Sequence, residues 1–256
     1  MLARIALRMA TIAALRGKTL VDDNVLDSEI TALDADADGN LTTDQQKAFV
    51  TVYTNIGSDE TGGDRSLHRS GRTELVIEIA VASTMVYRND DGDKEVAAGI
   101  PATDAAFEFY LDVVGRQIVN ALSDPSDVWA EIWRGLSSKV VKVERKRTSD
   151  ATGTRIAAHQ LVVTIDLLPD PVYGETLAET SIWSKFFARL DEATDPVTAA
   201  KATLLRSLIG EPGGTMADAQ QRRFGMTLEE VRALLNVSAV DGSEPDIAAV
   251  DFEVGQ

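Results

Sequence analysis

Apolar side chains at every second position constrain this chain most. In Arg155 to Leu168, Leu161, Val163, Ile165 and Leu167 alternate with other residues, a period that fits a strand with one covered face. Lys139 to Arg147 is a second strand-like run, and Ser149-Asp-Ala-Thr-Gly153 between the two has the composition of a hairpin turn. Ala48 to Thr54 and Thr73 to Val81 are β-branched and aromatic in the same way. From Leu75 to Tyr87, Leu75, Ile77, Ile79, Val81 and Met85 are expected on one face, with Glu74 and Glu78 opposite. Runs of this kind must pair into a sheet, and the sheet then needs a layer to cover its apolar side.

Helical spacing supplies that layer. Leu2, Ile5, Met9 and Ile12 form a stripe that Gly17 is placed to stop, with Arg4 and Arg8 on another face. Those arginines interrupt the apolar stretch instead of preceding it, so Met1 to Arg16 reads as an amphipathic helix and not as a signal peptide. Thr103-Asp104 starts a helix running to about Leu122, with Phe107, Leu111, Val114 and Ile118 buried, and Asp124-Pro125-Ser126 breaks it. A short helix with Trp129, Ile132, Trp133 and Leu136 follows; at this spacing both tryptophans are expected in the core, not at an interface. Pro169-Asp-Pro171 ends the sheet, and Ser181 to Leu190, Val197 to Ile209 and Thr227 to Leu235 read as helices.

The expected fold is therefore α+β: a mixed or antiparallel sheet of about four strands with helices packed mainly on one face, plus a C-terminal helical extension and acidic tail. The expected organisation is a core over residues 1–170, a helical extension over 171–210, and a Gly/Pro linker, short helix and acidic tail over 211–256. Gly210-Glu-Pro-Gly-Gly214 is the clearest linker.

Charge and composition exclude several functions. A net charge of −16 argues against sequence-independent grip on nucleic acid over an outer surface, because phosphates demand Lys and Arg. There is no cysteine for a thiolate nucleophile or a Cys-based zinc site. No apolar run approaches the ~20 residues that span a bilayer, so no membrane partner is expected. Neither G-x-S-x-G, G-x-x-x-x-G-K-[ST], H-E-x-x-H nor a Rossmann glycine pattern occurs. The two histidines, His68 and His159, stand in no catalytic motif, and carboxylates such as Asp166 and Asp170 read as solvated surface. An enzyme is not expected.

Two charged stretches remain as candidates. Asp34, Asp36 and Asp38 occupy positions 1, 3 and 5 of an EF-hand-like loop, with Gly39 at 6, Asn40 at 7 and Thr42 at 9. Gln45 stands where a bidentate Glu belongs, and the following Phe49-Val-Thr-Val-Tyr53 reads as a strand, not an exiting helix. The loop is thus either an acidic surface turn or a site for a structural calcium ion; no cofactor is required. Lys139, Lys142, Arg145, Lys146, Arg147 and Arg155 form a basic run in an acidic chain, against Glu144 and Asp150. It either protects a sheet edge or docks an acidic partner, another copy of the chain among the candidates. Asp241 to Glu253, free of basic residues, is a candidate counterpart.

One ordered pattern runs through the first two thirds of the chain. It comprises a helix ending in Leu15-Arg-Gly-Lys-Thr-Leu20, then Asn24-Val-Leu-Asp-Ser28, the strand Phe49 to Thr54, and a Gly-rich polar loop. Leu75 to Val81, the helix around Leu111 to Leu122 and a closing hairpin complete it. Over roughly Met1 to Leu168 this resembles the tail terminator, or tail-completion, proteins of long-tailed bacteriophages and gene-transfer particles. The resemblance implies a structural virion protein of the tail and neck, assembled in the host cytoplasm. It implies a homo-oligomeric, sixfold ring that caps the tail tube, stops its polymerisation and offers a docking face to the head connector or adaptor. Its partners would be further copies of itself, the tail tube protein and that connector, with DNA passing the lumen without specific binding. Asp34 to Gln45 enlarges a spacer relative to this pattern, and the residues after Asp170 extend beyond it. A calcium-binding interaction module built on residues 34–45, or another neck protein, are the alternatives.

Overall fold

The computed structural model describes residues 1–29, 34–35, 41–42, 45, 47–59, 65–88, 94–149, 155–213 and 215–234. In chain order, helix α1 (Leu2–Leu15) is followed by strands β1 (Val25–Asp27), β2 (Asp34–Ala35), β3 (Leu41–Thr42), β4 (Phe49–Ser58), β5 (Arg72–Ala80), β6 (Ser83–Arg88) and β7 (Lys94–Gly99). Then come α2 (Ala105–Ser123), α3 (Val128–Leu136), β8 (Ser137–Ser149) and β9 (Arg155–Leu167). Helices α4 (Ile182–Asp191), α5 (Pro196–Ile209), α6 (Met216–Phe224) and α7 (Leu228–Leu234) complete the described chain.

The fold is α+β. Its main sheet has five strands in the order β1-β4-β5-β9-β8. β1 runs parallel to β4, pairing Val25 with Val50, and every other pairing in this sheet is antiparallel, so the sheet is mixed. Alternation along β5 buries Leu75, Ile77 and Ile79 on one side, and the ladder sets Val163, Leu161 and His159 beside them. Helix α2 lies on this side: a Cβ on Gly115 would stand 3.8 Å from Ile79 Cδ1. Leu111, Val114 and Ile118 are its buried stripe, as the spacing predicts, while Phe107 is only half-buried. The opposite side is more polar. There Tyr53 Oη and Gln160 Nε2 both donate to Glu78 Oε1, at 2.9 and 2.7 Å.

Local chemistry fixes the helix ends. Asp104 accepts from the backbone N–H groups of Ala106 and Phe107, satisfying two donors that the first turn of α2 leaves free. Asp127 does the same for Ala130 in α3, and its second oxygen takes Lys18 Nζ at 2.6 Å. Gly17, at φ +67°, stops α1 in the left-handed region that glycine enters without strain. α1 is then tied to the sheet by Arg8 Nε to Asp27 Oδ1 at 2.7 Å and by Arg4 Nη2 donating to the Asn55 carbonyl at 2.6 Å.

Three details depart from the sequence reading. The run from Leu75 does not continue to Met85. β5 ends at Ala80, and β6 pairs instead with β7 in a second, four-stranded antiparallel sheet, β2-β3-β7-β6. Trp129 and Trp133 are half-buried, and Ala130, Ile132 and Leu136 make the buried face of α3. Asp170 is buried, accepting from the Leu2 N–H at 2.9 Å, while Asp166 pairs with Arg72 at 3.0 Å.

Backbone contacts divide the chain into two compact units. One holds residues 3–58 and 70–168; the other holds 1–2, 59–69 and 169–256. The division thus falls where Pro169-Asp-Pro171 closes the sheet, and Gly210–Gly214 lies inside the second unit. In that unit Trp183, Phe186 and Phe187 of α4 are buried, and the Phe186 and Phe187 rings meet edge-on at 5.4 Å. α6 begins with a reciprocal capping box between Thr215 and Asp218. Among the described residues no helix is long and apolar enough to cross a membrane.

Candidate interaction site

The basic run becomes strand β8, which closes one edge of the main sheet. Its inner side is hydrogen-bonded to β9, and no described strand pairs with its outer side. A strand of thirteen residues with an open edge is long, and an unpaired ladder of N–H and C=O groups is a template for another strand. Register shifts at Ser137/Lys139, Val140/Lys142 and Arg147/Ser149 bend it locally. Val140, Val141 and Val143 are 43%, 38% and 42% exposed, so the edge displays apolar as well as cationic groups.

Lys139, Lys142, Arg145 and Arg147 are all exposed on this strand. Arg155 opens β9 opposite Ser149, and its side chain lies outside the described residues. Pairing with β9 sorts the cations between two faces. Arg145 stands beside Leu161 and Arg147 beside His159, on the side covered by α2. Lys142 and Lys146 stand beside Thr164 and Gln160 on the other side. There Lys142 Nζ approaches Glu144 Oε1 at 3.1 Å. That hydrogen bond, opposed by desolvation and helped by the charges of Lys142 and Lys146, holds the Glu144 carboxyl below its ordinary value.

Between β8, β9 and α2 runs a groove of about 360 Å³. Ile79, Leu111, Val119 and Leu161 give it apolar walls, while Arg116, Arg145 and Arg147 line its rim. Its inner end is charge-balanced. Glu108 Oε2 lies 2.8 Å from Arg147 Nη2 and 3.3 Å from His159 Nε2, and Thr103 Oγ1 donates to Glu108 Oε1 at 3.0 Å. Desolvation pushes the Glu108 carboxyl up, but the Thr103 hydrogen bond and the Arg147 and His159 charges outweigh it, leaving the group below its ordinary value. Asp112 reaches toward His159 Nδ1 at 3.9 Å from an exposed position on α2. Among the described residues, neither Arg116 nor Arg145 has an ion-pair partner.

The arrangement is chemically a binding surface: an apolar floor, a cationic rim and an open strand edge, with its one partly buried carboxylate already matched. Sequence reading found the β8 cations because they are contiguous. It did not find Glu108, Arg116 or the part played by His159, which come from α2 and β9 and meet β8 only through the sheet register.

At the other edge of the sheet the charge is reversed. Asp22, Asp23, Asn24, Lys47 and Tyr110 line an open hollow of about 730 Å³ beside β1. The calcium-loop candidates fall close by in sequence. Asp36, Asp38 and Asn40 lie outside the described residues. Asp34 and Thr42 are paired with each other through the β2–β3 hairpin, and Thr42 also pairs with Gly99. Among the described residues, no group of three or more acidic or histidine side chains converges to hold a metal ion. No protein-family model matches the chain, and no curated protein matches it.

Proposed function

We propose that the chain is a structural subunit that assembles head to tail with copies of itself. In the fuller form of the reading, it is a ring-forming tail terminator that caps a phage tail tube and docks the head connector. One observation carries the assembly reading: β8 is a long, cationic edge, open among the described strands, with exposed valines on a chain of net charge −16. An acidic chain meets complementary charge on its own kind only through such a patch. The acidic hollow beside β1 supplies a surface of opposite sign at the far end of the same sheet. The tail-terminator identity rests on the ordered pattern from Leu15 to the β8–β9 hairpin, and the α+β fold with α2 packed on one side of a mixed sheet is consistent with it.

Native mass spectrometry of the purified chain, with calcium and with EDTA, tests the reading. A closed oligomer, expected to be sixfold and indifferent to EDTA, supports it. So does a monomer that forms rings when tail tubes are added. A species that stays monomeric even on tail tubes overturns it, and stoichiometric calcium on that monomer would favour the interaction module of residues 34–45.

A further inference from the structure

We infer that the groove between β8, β9 and α2 receives the acidic C-terminal segment Val250-Asp-Phe-Glu-Val254 of a second copy, added as a strand along the open edge of β8. The inference rests on the assembly reading above and names the contact that would join one copy to the next.

Three features of the groove match three features of that segment. The first is hydrogen bonding. β8 offers an outer edge that no described strand pairs over thirteen residues, and an incoming extended segment would satisfy it by strand addition. The second is shape and polarity. Val250, Phe252 and Val254 alternate with Asp251 and Glu253, so an extended conformation puts the three apolar side chains on one side and both carboxylates on the other. β8 is sorted in the same manner. Its helix-facing side looks onto the floor made by Leu111, Val119 and Leu161, and its other side carries Lys142 and Lys146. One register therefore lays Phe252 over the floor and brings Asp251 and Glu253 beside the two lysines. The third is charge. Residues 235–256 hold Asp241, Glu244, Asp246, Asp251 and Glu253 and no basic residue, whereas the side of β8 that would meet Asp251 and Glu253 carries Lys142 and Lys146 against Glu144.

Helix α7 ends at Leu234, and the residues from there to Val250 span at most about 50 Å when extended. The carboxylates at the site have cationic neighbours of their own. Glu108 is held by Arg147, His159 and Thr103 at the inner end, Asp112 is exposed beside His159, and Glu144 is matched by Lys142, which leaves Lys146 as a cation on that side without an ion pair among the described residues.

The test uses the full chain with Phe252 replaced by the photo-cross-linker p-benzoyl-phenylalanine, and a second version with the cross-linker at Val250. After irradiation, denaturing gels separate links between copies, which give dimer and higher bands, from links within a copy. Peptide mass spectrometry then locates the partner residue. Links between copies that map to Val119, Leu161 or β8 are expected. Asp251→Lys with Glu253→Lys should reduce their yield about tenfold or more. Lys142→Glu with Lys146→Glu should do the same, and the two pairs combined should restore it. Links that map elsewhere, that form only within one copy, or that ignore the charge changes overturn the inference. Native masses of the same samples keep the two readings apart: closed rings without these links leave the assembly reading standing alone, and links in open or dimeric species leave the contact standing without the ring.

Discussion

Gly115 and Gly225 allow the same substitution to be predicted with opposite signs. Gly115 lies inside α2, above the groove floor. Alanine in a helix interior is favoured over glycine by about 0.8–1 kcal/mol, because glycine loses more backbone freedom on folding. A Cβ at 115 would stand 3.8 Å from Ile79 Cδ1, ordinary van der Waals contact, so no steric cost offsets the gain. Gly115→Ala should therefore stabilise the unit by about 1 kcal/mol, a rise in Tm of about 2–4 °C for a protein of this size.

Gly225 closes α6 at φ +64°, where an L side chain costs about 1–2 kcal/mol. Its Cβ would also stand 2.6 Å from the Arg65 carbonyl oxygen and 2.7 Å from Arg65 Cβ, an overlap that only backbone movement can relieve. Gly225→Ala should destabilise by about 2 kcal/mol or more. Urea unfolding followed by far-ultraviolet circular dichroism measures both. A Gly115→Ala protein less stable than the parent would show that α2 does not sit over Ile79 with the spacing described. A neutral Gly225→Ala would show that Arg65 does not pack against the end of α6.

Other perturbations test the core, the cap and the charge cluster. Ile77→Ala removes a fully buried side chain from the centre of β5 and should cost about 2–5 kcal/mol by urea denaturation. Asp104→Ala strips two hydrogen bonds from the start of α2 and should cost about 1 kcal/mol, whereas Asp104→Asn should restore most of it. Glu108 sits below its ordinary value in the folded chain. Its stabilisation is therefore full above the unfolded carboxylate value near ~4.3 and is lost as pH falls through the folded value. Stability measured from about pH 6 to about pH 3 should fall less steeply in Glu108→Gln than in the parent, and equal slopes would refute the pairing with Arg147 and His159.

What the sequence made legible follows from where the structural information resides. β5 and β9 are readable because large apolar side chains recur at every second position in their sequences, although burial runs unbroken from Leu161 to Ile165, and α2 because its stripe has a period of 3.6 and its cap is a local Asp. β1 is not readable: three residues in an acidic stretch become a strand only because β4 lies alongside in parallel. β7, Lys-Glu-Val-Ala-Ala-Gly, has no alternation of its own and is defined by its pairing with β6. α6 is different, because its signal was present. Thr215 and Asp218 form the spacing of a capping box, masked by the polar Gln220-Gln-Arg-Arg223 that follows. At the candidate site the cations of β8 are contiguous and legible, but the balance of the groove is not. Glu108 and His159 are far apart in sequence and meet only because α2 packs on β9, and Arg147 joins them only because it pairs with His159 in the β8–β9 ladder.

The unlike edges of the sheet also bear on which assemblies the chain can make. β8 is long and basic, and β1 is three residues long with Asp27 already matched by Arg8 and an acidic hollow beside it. Two β8 edges brought together about a twofold axis would set Lys139 to Arg147 of one copy against the same cations of the other, and like charges facing each other across a ladder are destabilising. The cationic edge thus works against a symmetric dimer through β8, although the exposed valines would otherwise favour one. A contact between unlike surfaces escapes the repulsion. Such head-to-tail contacts close into a ring when the rotation per copy divides a full turn and otherwise continue as a filament. If the C-terminal segment of the next copy fills that edge, each copy uses one groove and gives one segment, a one-to-one stoichiometry that a ring satisfies completely and that a filament leaves unsatisfied at its two ends.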